Sequence, residues 1–292
     1  MRKLLSVALG LGMGGAVLAA SGPHPIEFWR EIARHDFALP AGAAAPELAG
    51  ELVDFVGSPD PERRDELGYT ITAEWVRRGV LAPEDVGALV PRWRAHLNAA
   101  GPDKVLDRAF GALHLALAAE ADLRRPFLTE AEFRGLLDDA LALLPAEADL
   151  RGWDAQVGWV HVTAHTADLL KGLVRNSRLQ PADQARVLDA VARRLETAPM
   201  VFTHGEAERL AAVAVALAGR ADLDRAGFLA AMKRLADLPE GFSGIAPVPA
   251  AYAARRNAVA FLEAVYLGLG VQGLKHPAAR ETAEALLATV TG

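Results

Sequence analysis

Residues 147–176 read EADLRGWDAQVGWVHVTAHTADLLKGLVRN, and the second half of this stretch repeats apolar side chains at helical spacing. On a helix over 157–175, successive residues turn by about 100° around the axis. One face then presents His161, His165 and Asp168 together. Since the opposite face is broad and apolar, it must be covered by other elements, which predicts a packed helical core. That apolar face consists of Trp159, Val162, Thr163, Thr166, Leu169, Leu170, Leu173 and Val174.

Helical spacing extends over most of the chain, whereas sustained strand alternation and Asn-Gly or Asp-Gly hairpin turns are not found in the sequence. Pro83 and Pro181 stand in predicted first turns, where a missing N–H costs nothing. Thr129 and Glu132 form a capping box. Gly79 follows a helix end. The predicted helices cover 26–35, 46–57, 61–79, 83–99, 102–121, 129–144, 157–175, 181–197, 205–219, 223–237, 251–269 and 277–290.

Short helices joined by short connections predict antiparallel helix pairs. Corresponding helices recur at roughly 40–55 residues, close to the period of HEAT-type repeats. A helix pair cannot bury its apolar face alone, so neighbouring pairs must stack. The predicted fold class is therefore all-α, an irregular α-solenoid of HEAT-like stacked antiparallel helix pairs. Residues 36–46 and 238–250 are predicted to be irregular. Because no domain boundary is visible, 21–292 is expected to form a single all-helical domain.

The composition excludes several classes of protein. The chain has 292 residues, a formal net charge of −6 and 52% apolar residues, which predicts a large core and excludes a disordered chain. It contains no cysteine, which excludes disulfides, iron–sulfur clusters and thiolate zinc sites. The acidic balance argues against nucleic acid as a partner, because such proteins need a basic face.

Residues 1–20, MRKLLSVALGLGMGGAVLAA, have the layout of a secretory signal peptide. Arg2 and Lys3 form a short basic start before an apolar run. Val17 and Ala19 are small residues at the positions that a signal peptidase reads. Because the run is short and no second one follows, no stable membrane insertion is expected after cleavage. The mature protein is therefore expected in the periplasm or secreted, with a retained N-terminal anchor as the alternative.

Three interpretations of the histidine patch remain open. It is a solvent-facing surface, a metal site, or a metal-free pocket in which a histidine acts as a general base or binds a substrate. His161 and His165 are four residues apart and could reach one divalent metal such as zinc, with Glu206 as a third ligand from another helix. His204 and Asp168 are alternative ligands. The glutamate that follows the first histidine in metalloproteases is absent from this sequence.

The segment before the patch is unlike an ordinary helix connection. Asp149 and Arg151 carry opposite charges, which can order a turn or pair with groups at the start of the next helix. Trp153 and Trp159 are expected to lie in the core, because a tryptophan is usually buried with its indole N–H bonded.

Charged and polar residues in other apolar stretches are expected to be structural. Arg108 needs a partner if it is buried, and an Asp65–Arg108 ion pair between helices is predicted. His114, on the same helix as Arg108, is expected in the core. Glu206 begins a helix, where the helix dipole favours a carboxylate in any case.

The run RGWDAQVGWVHVTAHTADLL resembles the central motif of a bacterial family, the domain of unknown function 2785. That motif is an acidic residue, Asp, Arg-Gly, a short gap, and Gly-Trp-x-His-x-x-Ala-His-x-Ala-Asp. Here Trp153 and Asp154 occupy the gap. The matching positions are Glu147, Asp149, Arg151, Gly152, Gly158, Trp159, His161, Ala164, His165, Ala167 and Asp168. The resemblance spans roughly 46–270 and implies an all-helical, HEAT-like fold with no established activity.

The favoured function is an extracytoplasmic binding or scaffold module for a small-molecule, peptide or protein ligand, because stacked helix pairs create a concave surface. The alternative is a hydrolase, metal-assisted or not, on the face of His161, His165 and Asp168. No nucleophile elbow, phosphate-binding glycine loop or calcium loop is present in the sequence, so whether the protein is an enzyme stays open. No cofactor is predicted with certainty, and whether a divalent metal such as zinc binds is left open. The polar-site candidates are Arg151, His161, His165, Asp168, Glu206 and Asp149.

Overall fold

The computed structural model describes residues 23–274 and 277–291. Within them the chain forms twelve α-helices and two small antiparallel β-hairpins, which confirms the all-α class. In chain order the helices are α1 (Ile26–Arg34), α2 (Ala45–Leu52), α3 (Thr70–Arg78), α4 (Pro83–Leu97), α5 (Val105–Arg124), α6 (Glu130–Ala146), α7 (Val162–Val174), α8 (Pro181–Thr197), α9 (Glu206–Ala218), α10 (Arg225–Ala236), α11 (Pro249–Gly273) and α12 (Pro277–Thr291). The strands are β1 (Trp153–Asp154), β2 (Gly158–Trp159), β3 (Phe242–Ser243) and β4 (Ala246–Pro247).

Local signals place the helix ends where the sequence predicts them. Pro83 and Pro181 are the first residues of α4 and α8. The Thr129 hydroxyl accepts a hydrogen bond from the backbone N–H of Glu132 at 3.2 Å, and the Glu132 carboxylate accepts one from the Thr129 N–H at 2.8 Å. Gly79 ends α3 with a φ of +71°, in the left-handed region that glycine adopts most readily.

The predictions for 61–79 and 238–250 differ from the structure. The predicted helix over 61–79 is divided, because Glu62–Tyr69 winds as a π-helix before α3 begins. The predicted irregular segment 238–250 contains the hairpin of β3 and β4. Both differences change which side chains share a face, since a π-helix and a strand do not follow the turn of about 100° per residue.

Alternate helices of the chain pack against one another. Helices α5, α7, α9 and α11 form one such series, and α6, α8, α10 and α12 form another. One buried apolar cluster extends from Trp29 in α1 to Leu286 in α12. Gly172 lets α7 approach α5 closely, because a Cβ there would lie 2.8 Å from the Cβ of Ala119. This packing is compatible with stacked helix pairs, while the HEAT-like repeat and the single domain over 21–292 stay predictions.

The predicted signal peptide at 1–20 lies outside the described residues. Across 23–274 and 277–291, we find no helix with both the length and the apolarity needed to cross a bilayer. The periplasmic or secreted location stays a prediction.

Candidate functional site

The predicted helix over 157–175 is wrong at its start, because residues 153–159 form a β-hairpin. Strands β1 and β2 pair antiparallel, with Trp153 opposite Trp159. Helix α7 begins only at Val162. The hairpin therefore directly precedes the N-terminal end of α7.

Two features of the sequence shape this hairpin. The carboxylate of Asp154 accepts hydrogen bonds from the backbone N–H groups of Gln156 at 2.8 Å and Val157 at 3.2 Å, which closes the turn. Gly158 has a φ of +73°, a conformation that glycine adopts without strain. His161 also has a positive φ, +53°, and it is held there as the N-cap residue of α7.

The two hairpin tryptophans are exposed, so the prediction that they lie in the core is wrong. Trp153 is 51% exposed and Trp159 is 39% exposed. Their rings meet edge to face, with centroids 5.0 Å apart. Trp159 also stacks on the imidazole of His161, at 4.8 Å. As a cross-strand pair the tryptophans lie on the same face of the hairpin, and that face is turned to solvent.

The buried side chain of Arg64 anchors the backbone of the hairpin. Its guanidinium donates hydrogen bonds to the carbonyl oxygens of Val157 at 2.7 Å and Trp159 at 3.1 Å. It also bonds Asp65 at 2.8 Å and lies 4.5 Å from the centre of the Phe110 ring. Sequence reasoning missed Arg64, because the polar run ERRDELGY gives no sign of which arginine faces inward.

The predicted Asp65–Arg108 ion pair is wrong. Asp65 pairs with Arg64, and Arg108 instead pairs with Glu147 at 2.6 Å. The reason is the π-helical winding of Glu62–Tyr69, which turns Asp65 toward the hairpin. Arg108 and Glu147 link the start of α5 to the end of α6, next to the segment that leads into the hairpin.

The structure brings His161, His165 and Glu206 together, but both histidines are buried and do not form a solvent-facing surface. The Nε2 of His161 donates a hydrogen bond to the backbone oxygen of His204 at 2.8 Å, and Glu206 lies 3.8 Å away. The Nδ1 of His165 bonds the carbonyl oxygen of Ala109 at 3.2 Å. These contacts join the starts of α7 and α9 to α5.

Burial lowers the pKa of both imidazoles. The pKa of His165 falls well below its ordinary range, and a positive charge on the nearby His161 would lower it further. For His161 burial also lowers the pKa, although the carboxylate of Glu206 opposes this effect. Both rings are therefore neutral at pH 7. Their contacts suit them to positioning the hairpin and α9.

The base of the hairpin packs tightly on the start of α9. The buried carboxylate of Glu206 accepts a hydrogen bond from the backbone N–H of His204 at 2.8 Å. A Cβ on Gly152 would lie 2.6 Å from both the Glu206 Oε1 and the His204 Nδ1. Only glycine therefore fits at this position without displacing a neighbour.

We expect Gly152→Ala to lower the free energy of unfolding by about 1–3 kcal/mol, because the added methyl group overpacks this contact. Urea unfolding measures the effect. The matched control is Gly270→Ala in α11, where a Cβ would meet no atom within 4 Å and alanine is the better helix former. If Gly152→Ala lowered the free energy of unfolding by no more than Gly270→Ala does, the tight contact at Gly152 would be contradicted.

Asp168 lies on the same helix as His165 but bonds other partners. It forms an ion pair with Arg209 of α9, and Lys171 lies 3.7 Å away. Burial raises the pKa of Asp168, although both cations oppose the shift. The carboxylate therefore ties α7 to α9 through Arg209 rather than fixing an imidazole.

Asp149 and Arg151 form the polar side of the hairpin. Arg151 bonds Asp149 and Asp154 at 2.6 Å each, so one guanidinium bridges the segment before β1 and the end of β1. The hydrogen bond from Arg151 holds the pKa of Asp149 below its ordinary range, although partial burial opposes this shift. These charges are next to the exposed Trp153 and order the strand that carries it.

The predicted metal site gains no support from this geometry. Among the residues that the structure describes, no three histidine, aspartate or glutamate side chains are arranged so that they could hold an ion. Zinc binding by His161, His165 and Glu206 therefore stays a prediction. The hydrolase alternative gains no support either, since both histidines are buried and Asp168 is paired with Arg209.

Comparison with known families gives one match. The model of a family described as "Protein of unknown function (DUF2785)" matches residues 94–267, more than half of the chain. The chain belongs to the DUF2785 family. The resemblance of the central motif is thereby confirmed, although the match begins later than the expected start near residue 46. The DUF2785 segment includes the hairpin at 153–159 and Glu206. No curated protein and no solved structure matches the chain.

Proposed function

We propose that this DUF2785 protein is a binding module that holds a peptide segment of a protein ligand on Trp153 and Trp159, the tryptophan surface. The proposal rests on the exposure of these two side chains on an ordered hairpin. Burying a large apolar side chain gains roughly 1.5–3 kcal/mol, so two tryptophans left in solvent mark a surface that a partner covers. Tryptophan and arginine are also the residues most enriched at the centres of protein interfaces.

The hairpin orders the tryptophan surface before a ligand arrives. Arg64 anchors its backbone from the interior, and Asp154 closes its turn. Arg151 bridges Asp149 and Asp154 at its edge. A ligand therefore pays little entropy for ordering the site, which favours binding.

The polar groups beside the tryptophans favour a peptide over a sugar. Arg151 already donates hydrogen bonds to Asp149 and Asp154, and both carboxylates also accept from nearby backbone N–H groups. They leave few free donors and acceptors for the hydroxyl groups of a sugar. The aromatic area that remains exposed suits an apolar side chain or a proline of a peptide.

The location and the scaffold role rest on other features. The signal-peptide pattern at 1–20 supports an extracytoplasmic binding protein. The packing of alternate helices in two series supports a HEAT-like frame for the scaffold role.

The test is a selection of random peptides on phage against the immobilised mature protein, followed by affinity measurements on the recovered peptides. We expect peptides whose affinity falls at least about tenfold in Trp153→Ala and in Trp159→Ala, because a central tryptophan contributes roughly 2 kcal/mol or more. Leu267→Ala is the control, since Leu267 is an exposed apolar residue of α11, away from the hairpin.

Two results would overturn the proposal. One is a set of peptides that bind all three variants as tightly as the unchanged protein. The other is recovery of no peptide, with a glycan array showing saccharide binding that is lost in Trp153→Ala and Trp159→Ala, which would replace the peptide by a sugar.

A further inference from the structure

The second half of α11 carries an exposed apolar stripe, the α11 stripe, formed by Leu267, Val271 and Leu274. Their spacing of four and three residues places the three side chains on one face of the helix. They are 66%, 68% and 80% exposed, whereas Val265 and Leu269, on the opposite face, are buried. The α11 stripe is therefore the outward face of the helix, where a surface helix normally carries polar residues.

The first helix of the chain exposes a different kind of face. In α1 the residues with the same spacing are Glu27, Glu31 and Arg34, and all three are exposed. A stack of helices needs such a polar outer face on the members that end it. Helix α11 is the last member of the series α5, α7, α9 and α11, yet its outward face is apolar. A further helix could therefore stack on α11 but not on α1.

The α11 stripe is uncharged, although the net charge of the chain is −6. In the sequence, the uncharged run 264–274 is bounded by Glu263 and Lys275. Exposed residues of both signs also occur on α12, which packs on α11; these are Arg280, Glu281 and Glu284. Charges of both signs around an apolar centre are typical of protein interfaces. Two copies of this face can therefore meet without like charges at the centre of the contact.

The exposed apolar area is sufficient for a weak dimer. Tyr266 and Leu287 are 41% and 45% exposed and line a cavity of about 260 Å³ where α10, α11 and α12 meet. Together with the three residues of the α11 stripe, they expose roughly 500 Å². A contact between two copies would cover roughly 1,000 Å², which is the lower limit for a specific interface.

We infer that the α11 stripe is the contact between two copies of this chain in a dimer with twofold symmetry. In such a contact the same patch meets itself, which an uncharged apolar face allows. A head-to-tail contact would instead press the α11 stripe onto the charged face of α1, and burying those charges is costly. The assembly therefore stops at two copies and does not grow into a filament.

The test is sedimentation equilibrium of the mature protein at concentrations up to about 100 μM. We expect twice the mass of one chain at the highest concentration and a dissociation constant in the micromolar range, because the interface is small. The double variant Val271→Glu, Leu274→Glu is expected to weaken the dimer at least about hundredfold, since it brings like charges together at the centre of the contact. Both positions are exposed, so the variant is expected to fold, which circular dichroism checks.

The control is the double variant Ile245→Glu, Val248→Glu, which makes the same kind of change at apolar residues that are 99% and 44% exposed. Val248 directly precedes α11 and lies about 35 Å along the helix from Val271, at 1.5 Å per residue. This variant is expected to dimerise as the unchanged protein does. Equal weakening in both double variants would show a general charge effect and overturn the inference.

Three other results would also overturn it. The first is the mass of one chain at every concentration, and the second is a mass that keeps rising beyond two chains. The third is a dimer that persists in Val271→Glu, Leu274→Glu. If the protein were monomeric and floated with phosphatidylcholine vesicles, and this variant did not, a lipid surface would replace the second copy. Because these variants leave Trp153 and Trp159 unchanged, the result is independent of the proposed function.

Discussion

Replacing Arg64 by alanine is expected to lower the free energy of unfolding by about 3–5 kcal/mol, the usual cost of removing one partner from a buried charged pair. The fully buried guanidinium donates to the carbonyl oxygens of Ser58, Val157 and Trp159 and to the carboxylate of Asp65. Alanine would leave these acceptors without donors and open a cavity beneath the hairpin. Urea unfolding at pH 7 measures the loss.

Arg63→Ala is the matched control for this change. Arg63 is an exposed neighbour whose guanidinium lies 4.6 Å from the centre of the Phe55 ring, so its loss is expected to cost no more than about 1 kcal/mol. Arg64→Lys keeps the charge but not the planar fork, and an intermediate loss is expected. Should Arg64→Ala fail to fold, Arg64→Lys remains measurable. Equal losses in Arg63→Ala and both Arg64 variants would contradict the anchoring role.

Lowering the pH from 7.5 to 4.5 is expected to remove about 2–3 kcal/mol of stability through His114 alone. His114 is buried between Tyr69 and Trp93, each with its ring centre 5.4 Å away, and this burial lowers its pKa to about 4. Between the ordinary pKa of about 6.5 and the folded value, the unfolded chain binds a proton that the folded chain does not. Stability is therefore complete above pH 6.5 and falls as the pH approaches 4.

The comparison of His114→Phe with the unchanged protein isolates this effect. Phenylalanine keeps an aromatic ring in the core but does not titrate, so the loss between pH 7.5 and 4.5 is expected to shrink by about 2–3 kcal/mol. His35→Phe is the control, because His35 is exposed and its replacement should leave the pH dependence unchanged. Urea unfolding at the two pH values gives both numbers. The same pH-dependent loss in His114→Phe and in the unchanged protein would contradict the prediction.

The helices were largely predictable because their signals are local. Pro83, Pro181 and the capping box of Thr129 and Glu132 act within one turn of a helix end. The burial of His114 was also predictable, since it lies in an apolar run of α5. The candidate site was predictable only in part. His161, His165 and Glu206 do come together, whereas Asp168 pairs with Arg209.

The hairpin was not predictable from helical periodicity. Trp159 continues the apolar spacing of α7, so a helix over 157–175 accounts for the pattern equally well. Contacts from distant parts of the chain determine that α7 starts only at Val162. Arg64 bonds two carbonyl oxygens of the hairpin, and Gly152 packs on Glu206.

The sequence by itself determined the all-α class, the helix ends marked by a proline or a cap, and membership of the DUF2785 family, because periodicity, caps and the central motif are carried by neighbouring residues. Only the tertiary structure decided that Trp153 and Trp159 face solvent and that Arg64 lies beneath them. Burial depends on which distant segments cover a side chain. Residue type alone would have predicted buried tryptophans and an exposed arginine. Tryptophan is normally buried and arginine normally exposed, and their exchange here is the observation on which the proposed binding surface rests.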